Sequence, residues 1–201
     1  MTAKNIISFS LFILFMFGFI IKLIIQARRN KTNAYVMGKG NKPRATRLVE
    51  TLVRVSSFTW GALWAMQSVF EKDIEKNIGS LFDIELINYL GLILMAAGLS
   101  IFLKAMIDMK NSWRVGIDKE TRTELITYGI YRFSRNPAFV GLDFMFIGLF
   151  FTYSNVLTLA VAVVNLIAFH LLILQEEKHL MKMFGSTYKG YMKKTPRYIV
   201  I

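Results

Sequence analysis

The chain has 201 residues, a length ordinary for one domain, but 54% of them are hydrophobic and the mean hydropathy is +0.44, too apolar for a soluble fold. It has no cysteine, which excludes disulfides, thiolate metal sites and cysteine nucleophiles. The net charge of +12 invites a nucleic-acid reading, yet its distribution is that of a membrane protein, so no nucleic-acid partner is expected.

The first element is the nearly uncharged run Ile6 to Ile25, whose one charge is Lys22. It reaches the ~20 residues that a bilayer crossing requires and lacks a small-residue cleavage site, so it is expected as a retained anchor. The connection Gln26 to Arg47 carries seven Lys or Arg and no acid, and Gly38, Gly40 and Pro43 mark it as a flexible cytoplasmic loop. Leu52 to Phe70 is more polar, with Arg54, Ser56, Ser57, Thr59 and Gln67, but its Trp60, Trp64 and small residues fit a packed span. Glu71 to Glu85 holds five acids against two bases, the signature of the opposite side.

Leu86 to Ile107 is the next firm span. Trp113 to Gly129 follows as a polar approach loop with Gly116 and Asp118 as turn signals, and Trp113-Arg114 reads equally as an interfacial pair. Ser134-Arg135-Asn136-Pro137 announces a helix, with Asn136 as the capping side chain and Pro137 as the first helical residue. The apolar run Ala138 to Phe151 covers only ~21 Å as a helix, too short for a full crossing, and should form a hairpin with Val156 to Gln175 across Thr152 to Asn155. Beyond Gln175 an amphipathic helix is expected, broken at Gly185 and ended at Pro196.

The fold class is therefore an all-α, polytopic helical bundle of about five spans. Residues 1–110 form the anchor region and 111–201 the functional region of one structural domain. Charge alternation puts the N-terminus outside and the C-terminus in the cytoplasm.

Helix geometry brings distant residues to one depth. Pro137 and His170 each lie about 15 residues from the hairpin turn, ~22 Å down their helices, so Arg135, Asn136 and His170 share the cytoplasmic boundary. Glu177 is two turns beyond His170 on nearly the same face, while Glu176 points ~100° away and shares a face with Asn165. Asp143, an acid inside the short helix, is a functional candidate by default, with Arg132 or Arg135 as candidate partners. His170, alone on an apolar span, reads first as a hydrogen-bonded packing residue. Tyr188 and Tyr191 read as interface anchors as readily as ligand contacts.

In order and spacing, Gly129-Ile130-Tyr131, Arg135-Asn136-Pro137-Ala138-Phe139-Val140-Gly141, Glu176-Glu177, Phe184-Gly185, Tyr188, Tyr191 and Pro196-Arg197 resemble the C-terminal region of the isoprenylcysteine carboxyl methyltransferase and phospholipid methyltransferase superfamily. The resemblance covers roughly Trp113 to Arg197, and many members carry His where this chain has Asn136. It implies a membrane methyltransferase that uses S-adenosyl-L-methionine on a lipophilic or membrane-embedded acceptor, an isoprenylcysteine-like carboxyl or a phospholipid amine. It further implies Glu177 and Arg135 in catalysis, and cofactor contacts among Gly129, Tyr131, Asn136, Pro137, His170, Glu176 and Tyr188. A carboxyl acceptor would favour Arg135 as its clamp and an amine would favour Glu176 or Glu177. Sterol-type reductases carry a related C-terminal region that binds a nicotinamide cofactor, and a non-enzymatic membrane protein that keeps the fold is a third reading. No metal is expected.

Overall fold

The computed structural model describes residues 2–30, 34–118 and 124–198. Five helices run through them: α1 (Ala3–Asn30), α2 (Arg44–Ile78), α3 (Glu85–Asp108), α4 (Pro137–Thr152) and α5 (Val156–Lys194). Ala3–Arg28, Glu85–Asp108 and Val156–Lys194 are long and apolar enough to cross a membrane. Up to the non-helical Gly185, α5 alone rises ~43 Å, more than a ~30 Å hydrocarbon core, so its apolar part to Gln175 is enough to span and the rest projects beyond. The helical membrane bundle expected from the apolar runs is thus present.

The tightest pairing is between α3 and α4, and glycine makes it so. A methyl group on Gly98 would sit 2.5 Å from the Gly141 carbonyl oxygen, and one on Gly148 would sit 2.7 Å from that of Gly91. Two glycines seven residues apart on each antiparallel helix therefore let the backbones touch. Between membrane helices, where apolar surfaces gain nothing by leaving lipid for one another, such close packing is the main source of attraction. The hairpin turn is fixed by Asn155, whose side chain accepts from the Leu157 and Thr158 amides at 3.0 and 3.1 Å.

Several expectations are corrected. The second helix starts at Arg44, directly after Pro43, and continues past a kink at Phe70 to Ile78, so Leu52 to Phe70 is only its middle. The basic loop is pinned rather than flexible in its described part, because buried Glu50 accepts from the Gly38 amide at 2.9 Å and from Lys42 at 2.7 Å. Residues 31–33 of that loop lie outside the described residues. Glu50 also accepts from the Ile117 amide at 2.9 Å, while Val36 and Val115 are hydrogen-bonded through their backbones, so the two loops form one cover. A buried carboxylate needs this many donors, and satisfying them orders both loops. Trp113 is correspondingly no interfacial residue: it is buried and packs edge-on against Phe19. Residues 119–123 of the approach loop lie outside the described residues.

Candidate functional site

The Arg-Asn-Pro step is set from both sides. Gly129 takes φ +62°, and a Cβ there would collide with the Asp108 carboxylate at the end of α3, which accepts from the Ile130 amide at 2.9 Å. Glycine is required for the conformation and for the close approach. On the other side, the Tyr191 hydroxyl donates to the Tyr131 carbonyl at 2.5 Å, tying the step to the end of α5.

Asn136 occupies the N-cap position of α4 and Pro137 the first turn, but the Asn136 side chain makes no capping bond. Its Nδ2 donates instead to the Arg197 carbonyl at 3.1 Å and to Glu177 Oε1 at 3.4 Å. The expected capping role is therefore wrong. The amides of the second and third helical residues remain available to a cap, but the Asn136 side chain is turned to the tail and to the buried Glu177 carboxylate, which competes for its amide group.

Glu177 is the centre of a clasp. Its Oε1 accepts from Arg135 Nε at 3.1 Å and Nη2 at 2.8 Å, and its Oε2 from Arg197 Nε at 3.0 Å and Nη2 at 2.8 Å. Arg135 Nη1 donates to the Thr195 carbonyl at 2.6 Å, and the Arg135 amide donates to the Pro196 carbonyl at 2.9 Å. The C-terminal tail is thereby laced onto the Arg-Asn-Pro step. Burial alone would raise the Glu177 carboxyl, but hydrogen bonds from Arg197 and Arg135 hold it below the usual range.

Glu176 faces elsewhere. It lines a cavity of about 640 Å³ enclosed by α1, α2, α4, α5 and the loop cover, together with Tyr131, Arg135, Asn136, Tyr188 and Trp113. No ion pair or hydrogen bond engages its carboxylate among the described residues. Burial in the wall, and then the neighbouring Glu177 charge, push it up to about 7. Buried Tyr188 stands beside it, and burial pushes its hydroxyl up to about 12. Both tyrosines are thus packed inside the protein, not anchors at the membrane interface.

Of the residues singled out in the sequence, Arg135, Asn136 and Glu177 meet directly, and Tyr131, Arg135, Asn136, Glu176 and Tyr188 share the cavity wall. Gly129 and Pro137 shape the backbone behind it. His170 stands apart: it is exposed, and its Nδ1 lies 2.6 Å from the Tyr198 hydroxyl, so it anchors the tail. Asp143 finds neither candidate partner: Arg135 is held by Glu177, Arg132 lies over the Phe133 ring, and the Asp143 Oδ1 has no hydrogen bond among the described residues. Arg197, which the resemblance includes without a role, and Tyr198 are the residues that helix counting did not bring to the site, because a tail folding back 20 positions onto its own helix leaves no periodic trace.

A family model described as phospholipid methyltransferase matches residues 86–187. Among solved structures, the chain is similar to the eukaryotic intramembrane Ras methyltransferase ICMT, isoprenylcysteine carboxyl methyltransferase, solved without a monobody. The two share 20% identity over 97% of this chain and 67% of that one, with a TM-score of 0.59. At this identity the likeness is one of fold. No curated protein matches the chain in sequence.

Proposed function

The chain belongs to the phospholipid methyltransferase family, and from that premise we propose that it transfers a methyl group from S-adenosyl-L-methionine to a lipophilic acceptor at the cytoplasmic face of the membrane. The observation that carries this reading is the free Glu176 carboxylate on the wall of a large, mostly apolar cavity at the end of a spanning helix. When bound, the cofactor supplies an electrophilic methyl group on a positively charged sulfur. The residues present fit such a molecule: an unpaired carboxylate for a cationic group and the rings of Tyr131 and Tyr188 for flat apolar surface.

The chain's own contribution is positioning and exclusion of water, which suits a displacement that needs alignment more than acid or base assistance. Glu176 attracts the cofactor's cationic end. Glu177 is held by two arginines and acts through them: it fixes Arg135 and Asn136 at the cavity wall. Arg135 directs donors to Glu177 and to the tail carbonyls, so a substrate carboxylate would have to compete with the clasp for it.

Equilibrium titration of the purified full chain in lipid nanodiscs tests the reading. S-adenosyl-L-methionine should bind, NADPH should not, and Glu176→Gln should weaken the former by about tenfold or more while Lys182→Gln leaves it unchanged. Binding of NADPH in preference would make the protein a reductase. Binding of neither would leave the fold without this cofactor chemistry.

A further inference from the structure

The cavity has a second chemical end, on α2. Residues 54, 58, 61 and 65 recur at intervals of four, three and four, so they form one stripe of the helix, and all line the cavity. The stripe begins with Arg54 and continues as Phe58, Gly61 and Ala65, which confines its charge to the cytoplasmic end. Opposite stands α1 with Phe12, Phe15, Met16 and Phe19. At Gly61 even an added methyl group would only touch the Phe12 ring edge, at 4.0 Å. Small residues on one wall and aromatic rings on the other thus leave a slot, and the eleven helical steps from Arg54 to Ala65 give it ~16 Å of length. Phe58 both lines the slot and is 79% exposed, so the slot opens sideways to the lipid.

Arg54 makes no ion pair or hydrogen bond among the described residues. Its guanidinium lies beside the Gly38 turn, at the level of the loop cover. The other arginines on the cavity wall are already paired, Arg135 with Glu177 and Arg114 with Asp118. Of the remaining acids on the wall, Glu124 stands on the approach loop and Glu176 on α5. A free guanidinium at the mouth of an apolar slot is suited to one kind of guest, an anionic head with a single chain behind it.

We propose that Arg54 is a specificity-determining residue of the acceptor site: the acceptor is a single-chain amphiphile whose carboxylate or phosphate pairs with Arg54 and whose chain lies between α1 and α2. The word acceptor rests on the methyltransferase reading; the amphiphile site does not. The two charged ends of the cavity then sort their guests, cations to Glu176 and anions to Arg54.

Trp60 and Trp113 line the cavity, so their quenching reports occupancy locally. The full chain in phosphatidylcholine nanodiscs is titrated with laurate, dodecyl phosphate and dodecylamine, each carrying bromine at the chain end. The two anionic probes should quench saturably, lose about tenfold or more in affinity in Arg54→Gln, and regain most of it in Arg54→Lys. Dodecylamine should bind less tightly and ignore both changes. Ala65→Phe should weaken dodecyl phosphate and spare butyl phosphate, because it fills the far end of the slot. Whichever anionic probe binds more tightly identifies the head group. S-adenosyl-L-methionine affinity, measured on the same variants, should not change. If Arg54→Gln leaves both anionic probes unaffected, or if the amine binds as tightly as they do, the inference is overturned. If the wild type fails to bind S-adenosyl-L-methionine while the Arg54 dependence holds, the methyltransferase reading falls and the amphiphile site stands.

Discussion

Replacing Glu177 by Gln removes the charge on which two arginines converge, and the structure says that the two will respond unequally. The Arg135 and Glu177 side chains are each 7% exposed, whereas Arg197 is 36% exposed. Leaving a buried arginine without its partner costs up to about 3–5 kcal/mol, whereas the exposed pair is screened by solvent and contributes about 1 kcal/mol or less. Glu177→Gln and Arg135→Gln should therefore shift docking of the tail by roughly two to four powers of ten, and Arg197→Gln by about fivefold at most. Hydrogen exchange of peptides covering residues 134–136 and 195–198 reads this directly, since the Arg135 amide bonds to the Pro196 carbonyl. The same measurement has a pH limb. The folded Glu177 carboxyl lies below its ordinary value, so its contribution is present above the unfolded pKa and is lost as pH falls through the lower folded one. If Arg197→Gln releases the tail as fully as Glu177→Gln does, the buried Arg135 is not the organising partner. If both match a Lys182→Gln control, the clasp contributes nothing.

Three further outcomes are expected. S-adenosyl-L-methionine affinity should fall as pH drops below about 7, where Glu176 takes up a proton, and Glu176→Gln should be flat over pH 5–7 by the same titration; a wild type that is equally flat would mean that Glu176 touches no cation. Asn136→Ala should cost about 1 kcal/mol of thermal stability through two lost hydrogen bonds, and Asn136→Asp more, because it sets a second carboxylate beside Glu177; an Asp variant as stable as wild type would restore the capping role. Single cysteines at exposed Lys39 and Asp73 should label from opposite sides of the membrane, the first from the cytoplasm, and labelling from one side would overturn the charge-derived orientation.

How far the sequence carried depended on whether a feature was periodic. The apolar runs located the helices, the Asn-Pro step and Gly185 marked a start and a break, and counting turns put Arg135 and Glu177 at one depth, where they meet. The choice between the two glutamates was also present in helix phase. Glu176 shares a face with Asn165, and Asn165 is buried and donates to the Ser56 carbonyl of α2 at 3.2 Å, so that face turns inward. What escaped were contacts made by folding back. Glu50 gathers donors from two loops, and the tail lies across the start of α4, and neither leaves a repeat to count. The α2 boundaries escaped for another reason: its ends are polar, and hydropathy sees only the greasy middle.

The extent of the family match separates two layers of the molecule. Residues 86–187 contain α3, α4 and the greater part of α5, and with them Arg135, Asn136, Glu176 and Glu177. Arg54, the α1 rings facing it, and the tail that locks Glu177 from its second side all fall outside that stretch. Neighbouring positions on a helix point ~100° apart, so one glutamate of the pair can be committed to holding the tail while the other stays free at the cavity. If Glu176 acts as proposed, that division places attraction of a cation within the matched frame. Selection of the acceptor's head and chain, if Arg54 and the slot act as argued, falls to α1 and α2, where a change of substrate could arise without disturbing the clasp.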